Sequence, residues 1–154
     1  MKNKIAVILF LLPFSTVADV NGKVVRVLDG DTIDILKDNK SYRVRLADID
    51  APEKQQDFGQ RSRQNLSKMI ALKNVTASGD KHDRYGRLIA TIYYNNENIN
   101  ANQITSGFAW AYRYKGKSTN PTYVRMESIA KDNSIGLWSN PNPIEPWKWR
   151  RDNK

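Results

Sequence analysis

Asp29-Gly30-Asp31-Thr32 and the run Arg45-Leu46-Ala47-Asp48-Ile49-Asp50-Ala51-Pro52-Glu53, whose Asp50 lies nineteen residues beyond Asp31, gather the residues of this chain best suited to chemistry. Asp31 and Asp50 offer hard oxygen ligands, which suit Ca²⁺ or Mg²⁺ better than a transition metal. Glu53 follows Pro52, whose fixed φ stiffens the segment presenting it. A glutamate is ionised at neutral pH and can take a proton from water without special tuning. Arg45, with Arg87 from Asp83-Arg84-Tyr85-Gly86-Arg87, can neutralise a phosphate as charge builds on it. Together these groups form a set for breaking a phosphodiester. Taken alone, Asp29-Gly30-Asp31 is also ordinary turn chemistry, and Glu53 alone would read as a surface acid beside Lys54.

What the chain lacks narrows the chemistry further. There is no cysteine and a single histidine, His82, set between Lys81 and Asp83 in a polar stretch. Thiol nucleophiles, Cys-rich or His-rich zinc sites and a paired-histidine mechanism are therefore excluded. Stabilising disulfides are excluded too. A hydrolytic centre here must be built from carboxylates and guanidinium groups.

These groups need a scaffold. Val24–Leu28 and Thr32–Leu36 read as strands around the Asp29-Gly30-Asp31 turn, and Tyr42–Leu46 as a third strand after Lys37-Asp38-Asn39-Lys40. Phe58, Leu66, Met69 and Ile70 recur at helical spacing between Asp57 and Leu72. Asn74–Ser78 and Leu88–Tyr94 supply the last two strands. Ile99–Ser106 reads as a short helix ended by Gly107, and Tyr123, Met126, Glu127 and Ala130 suit one face of a further helix. Patterning alone indicates a small α+β or β-barrel domain. Arg43 and Arg45 alternate about Val44, so strand periodicity puts both on one face and does not choose between them.

At 154 residues the chain suits one domain with a real core. Lys2, Lys4, the apolar run Ile5–Leu12 and the small-residue ending Thr16-Val17-Ala18 predict a signal peptide over residues 1–18, with the mature domain over 19–154. The expected destination is the periplasm or the medium, without stable membrane association after cleavage. Without Lys2 and Lys4 there remain 23 basic against 16 acidic residues, a net charge of +7. Such a surface draws in polyanions, but charge alone does not separate nucleic acid from anionic lipid or acidic polysaccharide.

Five blocks in order then resemble the staphylococcal nuclease family. They are Leu28–Thr32, Arg45–Glu53, Asp83–Arg87, Gly107–Tyr112, and the tail pairing Gly136-Leu137-Trp138 with Pro146-Trp147-Lys148-Trp149-Arg150-Arg151. The resemblance implies an OB-fold, a five-stranded barrel with about three helices. It implies hydrolysis of DNA and RNA with little sequence preference, leaving 3′-phosphate ends. By the same resemblance, Asp31, Asp50 and the Ala51 carbonyl bind Ca²⁺, with Mg²⁺ the alternative ion. Glu53 activates or positions water, while Arg45 and Arg87 clamp the phosphate; Arg45 is preferred to Arg43 by its offset before Asp50 and Glu53. Arg84, Tyr85, Tyr112 and Tyr114 fall where the family contacts nucleotide, with core packing as the competing reading for Tyr112 and Tyr114. Arg113, Lys115 and Lys117 extend a basic track, and the four tryptophans are assigned to core and tail docking. Two features depart from the family pattern. The loop after Glu53 is short, and Lys148 stands where an acid is common between the tail tryptophans. A monomer is expected. The rival readings are a non-catalytic OB-fold module for single-stranded nucleic acid and a cationic envelope protein.

Overall fold

The computed structural model describes residues 19–153, so the expected signal segment lies outside the described residues. Strands β1 (Val20–Val27), β2 (Thr32–Lys37) and β3 (Lys40–Leu46) form an antiparallel meander, and β4 (Ile49–Asp50) is a two-residue strand just beyond it. Helix α1 (Gly59–Ile70) precedes β5 (Asn74–His82) and β6 (Leu88–Tyr94). Strand β5 pairs antiparallel with both β1 and β6, and β6 closes the circuit by lying parallel to β3. The product is the expected α+β OB-fold, a closed barrel of five strands.

Alternation explains the core. Val24, Ile33, Ile35, Val44, Leu46, Val75, Ala77, Ala90 and Ile92 point inward along the strands and are fully or nearly fully buried. On α1, Ser62, Leu66 and Ile70 bury one stripe at four-residue spacing. After the short strand β7 (Glu97–Asn98) comes α2 (Ile99–Thr105), capped by the Asn98 side chain on the Ala101 N–H. The short strands β8 (Trp110–Ala111), β9 (Arg113–Tyr114) and β10 (Lys117–Ser118) then lead to α3 (Pro121–Asp132), capped by Asn120. A second cluster of Trp110, Ala130, Leu137 and Trp138 sits beside the main core, with Phe58 and Trp147 packed on it.

The structure goes beyond the sequence reading: β1 starts at Val20 rather than Val24, its first residues paired with β5, and β4 and β7–β10 are short strands the reading did not include. Strand β5 runs on to His82 rather than ending at Ser78, because its polar end pairs with Leu88 and Ile89 through backbone groups past a bulge. The tail forms a helix of its own, α4 (Pro146–Asp152), with Pro146 at its first turn. Among the described residues no helix is long and apolar enough to cross a membrane.

Candidate active site

The Asp31 turn is shaped by what it packs against. A Cβ on Gly30 would run into Ser62 Oγ and Ala51 Cβ, so only glycine lets this turn lie against α1. Asp29 caps the turn, its carboxylate accepting from the Asp31 N–H at 3.0 Å. Asp48 turns the other bearing segment at φ 60°, a left-handed conformation that aspartate tolerates. From there β4 pairs with β8, Asp50 opposite Trp110.

Helix α2 supports both turns from below. The buried Gln103 amide donates to the Gly30 carbonyl at 2.7 Å, and the buried Asn100 amide donates to the Ala47 carbonyl at 3.0 Å. Neither residue was singled out from sequence. A buried side-chain amide leaves no pattern distinguishing it from a polar residue on a helix surface.

On this frame Asp31, Arg45 and Asp50 converge. Thr32 pairs with Arg45 across β2 and β3, which brings the Arg45 guanidinium alongside Asp31. It lies 3.2 Å from Asp31 Oδ2, donates to Asp50 Oδ1 at 3.1 Å, and donates to the Leu46 and Ile49 carbonyls at 3.0 and 2.9 Å. Its neighbour in alternation, Arg43, instead donates to Asp34 on the sheet at 2.8 Å. The structure thus separates two arginines that periodicity left equal. The Ala51 N–H donates to Asp31 Oδ2 at 2.6 Å, locking Asp31 to the segment that carries Asp50.

Both acids are almost inaccessible, Asp31 at 6 % and Asp50 at 1 % exposure. Burial raises the Asp31 pKa from 3.8 to about 6; Arg45 pulls it down, and Asp29 pushes it further up. Burial also pushes Asp50 upward, opposed by Arg150 and reinforced by Asp31. Two buried carboxylates, both pushed upward by burial and one of them also by the other, leave negative charge undercompensated, and an added cation relieves it. Hydrogen bonds leave acceptor capacity on both groups: Asp31 Oδ1 takes one, from Thr32 Oγ1, and Asp50 Oδ2 one, from Arg150. Among the described residues no group of three or more His, Cys, Asp or Glu side chains could hold a metal. A cation here would rest on these two carboxylates with backbone carbonyl or water oxygens. That donor set fits a hard ion.

Glu53 stands at the edge of this cluster, its partner not Lys54 but Arg150, which comes from α4. Arg150 donates to Glu53 Oε1 at 2.7 Å and to Asp50 Oδ1 and Oδ2 at 3.1 and 2.8 Å. These contacts raise the Arg150 pKa, chiefly through the bond to Asp50. Sequence reasoning assigned the tail to docking and missed this residue. It lies 97 positions from Glu53, and no local spacing rule reaches that far.

The Asp83–Arg87 block is a separate element. Asp83 accepts from the Tyr85 and Arg87 backbone N–H groups at 2.9 and 3.0 Å and from Arg87 Nε at 2.6 Å, around Gly86 at φ 77°. Arg87 directly precedes Leu88, which pairs with Val44, so the parallel register sets it near the strand bearing Arg45. Its guanidinium nevertheless faces Asp83 and the Tyr85 ring, and no ion pair joins it to Asp31, Asp50 or Glu53. Tyr85 is exposed and flanked by Arg84 and Arg87, 4.8 and 5.5 Å from its ring. Tyr114 is also exposed, which removes core packing as its explanation, whereas Tyr112 is half-buried and its N–H donates to the Asp48 carbonyl. Arg113 is turned inward onto Glu127 at 2.6 Å rather than joining a basic track. His82 is exposed at the end of β5.

A closed five-stranded barrel with buried acids, a paired arginine and a glutamate at its rim defines an OB-fold protein with a carboxylate–arginine centre. The profile of the family described as "Staphylococcal nuclease homologue" matches residues 43–140, and the chain belongs to that family. It is 44% identical over 158 residues to "Micrococcal nuclease" of Shigella flexneri, covering 97% of this chain and 91% of that one. It is 46% identical over 144 residues to "Protein ParB" of Escherichia coli, covering 88% and 81%. It is 48% identical over 133 residues to an "Uncharacterized endonuclease" of Haemophilus influenzae, covering 86% and 74%.

Proposed function

We propose that this protein is an exported, cation-dependent endonuclease that hydrolyses DNA and RNA with little sequence preference, uses Ca²⁺, and leaves 3′-phosphate ends. The observation that carries the reading is the meeting of Asp31, Arg45 and Asp50, with Glu53 joined to them through Arg150. Nuclease relatives along most of the chain make nucleic acid the substrate class.

In this reading Asp31, Asp50 and the Ala51 carbonyl hold the cation. When bound, it supplies Lewis-acid stabilisation of charge on a phosphoryl oxygen. Glu53 orients a water and accepts its proton as the oxygen attacks phosphorus, the bond from phosphorus to the 5′ oxygen breaks, and the departing 5′ oxygen takes a proton from solvent. Arg45 is held by two carbonyls and two carboxylates, so its guanidinium is already oriented when phosphate arrives. Pre-oriented donors stabilise the transition state without reorganising during the reaction. Arg87 turns from Asp83 toward the phosphate, while Arg84, Tyr85, Tyr112 and Tyr114 contact sugar-phosphate and bases. Stacking on aromatic faces accepts any base, in keeping with low sequence preference.

Digestion of plasmid DNA and of RNA with Ca²⁺, with EGTA or with Zn²⁺ tests the reading. Cleavage is expected with Ca²⁺ alone, yielding ends that a 3′-phosphatase converts to primers. Full cleavage in EGTA would remove the cation, and 3′-hydroxyl ends would reverse the assignment of the broken bond.

A further inference from the structure

The family match ends at residue 140, yet the acid cluster is completed by residue 150. The tail reaches Glu53 by two routes. The Glu53 N–H donates to Gln56 Oε1 at 3.0 Å, and the Gln56 amide in turn donates to the Ile144 carbonyl. The Glu53 carboxylate accepts from Arg150 through a single oxygen, Oε1, at 2.7 Å. One route fixes the backbone of Glu53 and ends just before α4, and the other fixes its side chain and ends on α4 itself.

That segment is anchored independently of the acids. Pro146 is buried, Trp147 packs on the cluster of Trp110, Ala130, Leu137 and Trp138, and the Arg113 guanidinium lies 5.9 Å from the Trp147 ring. Arg150 is therefore held at a fixed place rather than waving on a free end. A glutamate side chain has several rotatable bonds, and ordering it for attack costs entropy that a preset hydrogen bond removes in advance. The guanidinium fork ties Glu53 Oε1 to both oxygens of Asp50, which fixes the distance between the proton acceptor and a carboxylate of the cation site. Oε2 makes no bond to Arg150 and stays available to a water.

We infer that the C-terminal segment is part of the catalytic centre, with Arg150 and Gln56 acting as positioning residues for Glu53. This inference rests on the nuclease reading and goes beyond it by assigning a catalytic role to residues of the tail, past the stretch the family profile matches. Arg150 acts through Glu53 and does not itself contact the reacting atoms.

The test is single-turnover and steady-state cleavage of labelled DNA by the full chain carrying Arg150→Ala, Arg150→Lys or Gln56→Leu, each also combined with Glu53→Gln. Arg151→Ala serves as control, since among the described residues Arg151 pairs only with its neighbour Asp152. Arg150→Ala is expected to lower kcat by about 10–100-fold, the scale of a misplaced catalytic group, with KM within about two-fold of wild type. Lysine reaches one carboxylate at a time and should recover part of the loss. In the Glu53→Gln background the Arg150 and Gln56 changes should add nothing further. The melting temperature, and trypsin cleavage at Lys148 and Arg151 with and without Glu53→Gln, report tail docking without relying on turnover. Wild-type kcat in Arg150→Ala would overturn this inference and leave the nuclease reading standing. So would a loss confined to KM, or one that adds fully to Glu53→Gln. Inactive wild-type protein would overturn the nuclease reading and this inference with it.

Discussion

Asp34 and Asp50 are each a buried aspartate held between two arginines, and their environments push them in opposite directions. Asp34, 3 % exposed, takes Arg43 at 2.8 Å and Arg26 at 2.6 and 2.8 Å. The hydrogen bond from Arg43 is the main cause lowering its pKa. Asp50 has Arg45 and Arg150 at comparable distances, yet burial raises its pKa. At Asp50 burial outweighs its arginines, at Asp34 the arginine hydrogen bonds outweigh burial, and a neighbouring carboxylate adds to the contrast. Asp34 is the only carboxylate in its triad, whereas Asp50 faces Asp31, so two buried negative charges share what Arg45 offers. The Asp34 triad satisfies itself and binds strands β1, β2 and β3 together. The Asp50 triad is left short of positive charge, and such a site calls for a ligand.

The contrast is most sharply tested by arginines from matching positions on one strand. Arg45→Lys keeps charge and loses the fork, and kcat should fall on the order of 10³-fold, as with arginine contacts in phosphoryl transfer. Arg43→Lys should leave kcat within a few-fold. Single-turnover cleavage distinguishes them, and the reverse pattern would exchange the roles of the two triads. A smaller effect is expected from Asp34→Asn. It should cost about 1–2 kcal/mol in urea unfolding, since both partner arginines are substantially exposed and their pairing is screened. Cleavage activity should not change beyond the few-fold level.

The smallest effect carries the clearest sign. The folded-state pKa of Asp31, about 6, lies above its ordinary 3.8, so the folded protein binds the proton more tightly than the unfolded one. Its charge therefore costs stability above pH 6, and the cost is relieved as pH falls through the window down to 3.8. In EGTA, Asp31→Asn should thus gain on the order of 1 kcal/mol at pH 7 and nothing near pH 3.8. Asp34 runs the other way. Its stabilising contribution is present above the ordinary carboxylate pKa and disappears as pH drops through its lowered folded value. Melting temperatures of Asp31→Asn, Asp34→Asn and wild type across pH 3–7 check both slopes, and parallel slopes would erase the distinction.

Much of the fold was legible because its strands alternate and its helices repeat at three to four residues. Leu88–Tyr94 matches β6 at both ends, and the helix expected over Asp57–Leu72 is α1 at Gly59–Ile70. The expected helices missed α4 because its seven residues carry no apolar stripe and it is held by docking of Pro146 and Trp147. For the site, the block Arg45–Glu53 carried local information, since a strand end, a turn and a proline loop fix where its side chains emerge. The conformation of Arg87 was not available from its block, because the competing Asp83 contact depends on how the loop closes.

What the sequence determined by itself, then, is the kind of chemistry available. The lack of cysteine, the single histidine and the ordered acids and arginines settle that any centre is built from carboxylate and guanidinium groups. Only the tertiary structure decided which of these groups share a place. It turned Arg43 to Asp34 and Arg45 to Asp31 and Asp50, set Asn100 and Gln103 beneath both turns, and brought Arg150 across 97 residues to Glu53. The physical reason is range. Periodicity and turn propensity act over a few residues, whereas the burial of charge is shared among groups that meet only when the barrel has closed and the tail has docked.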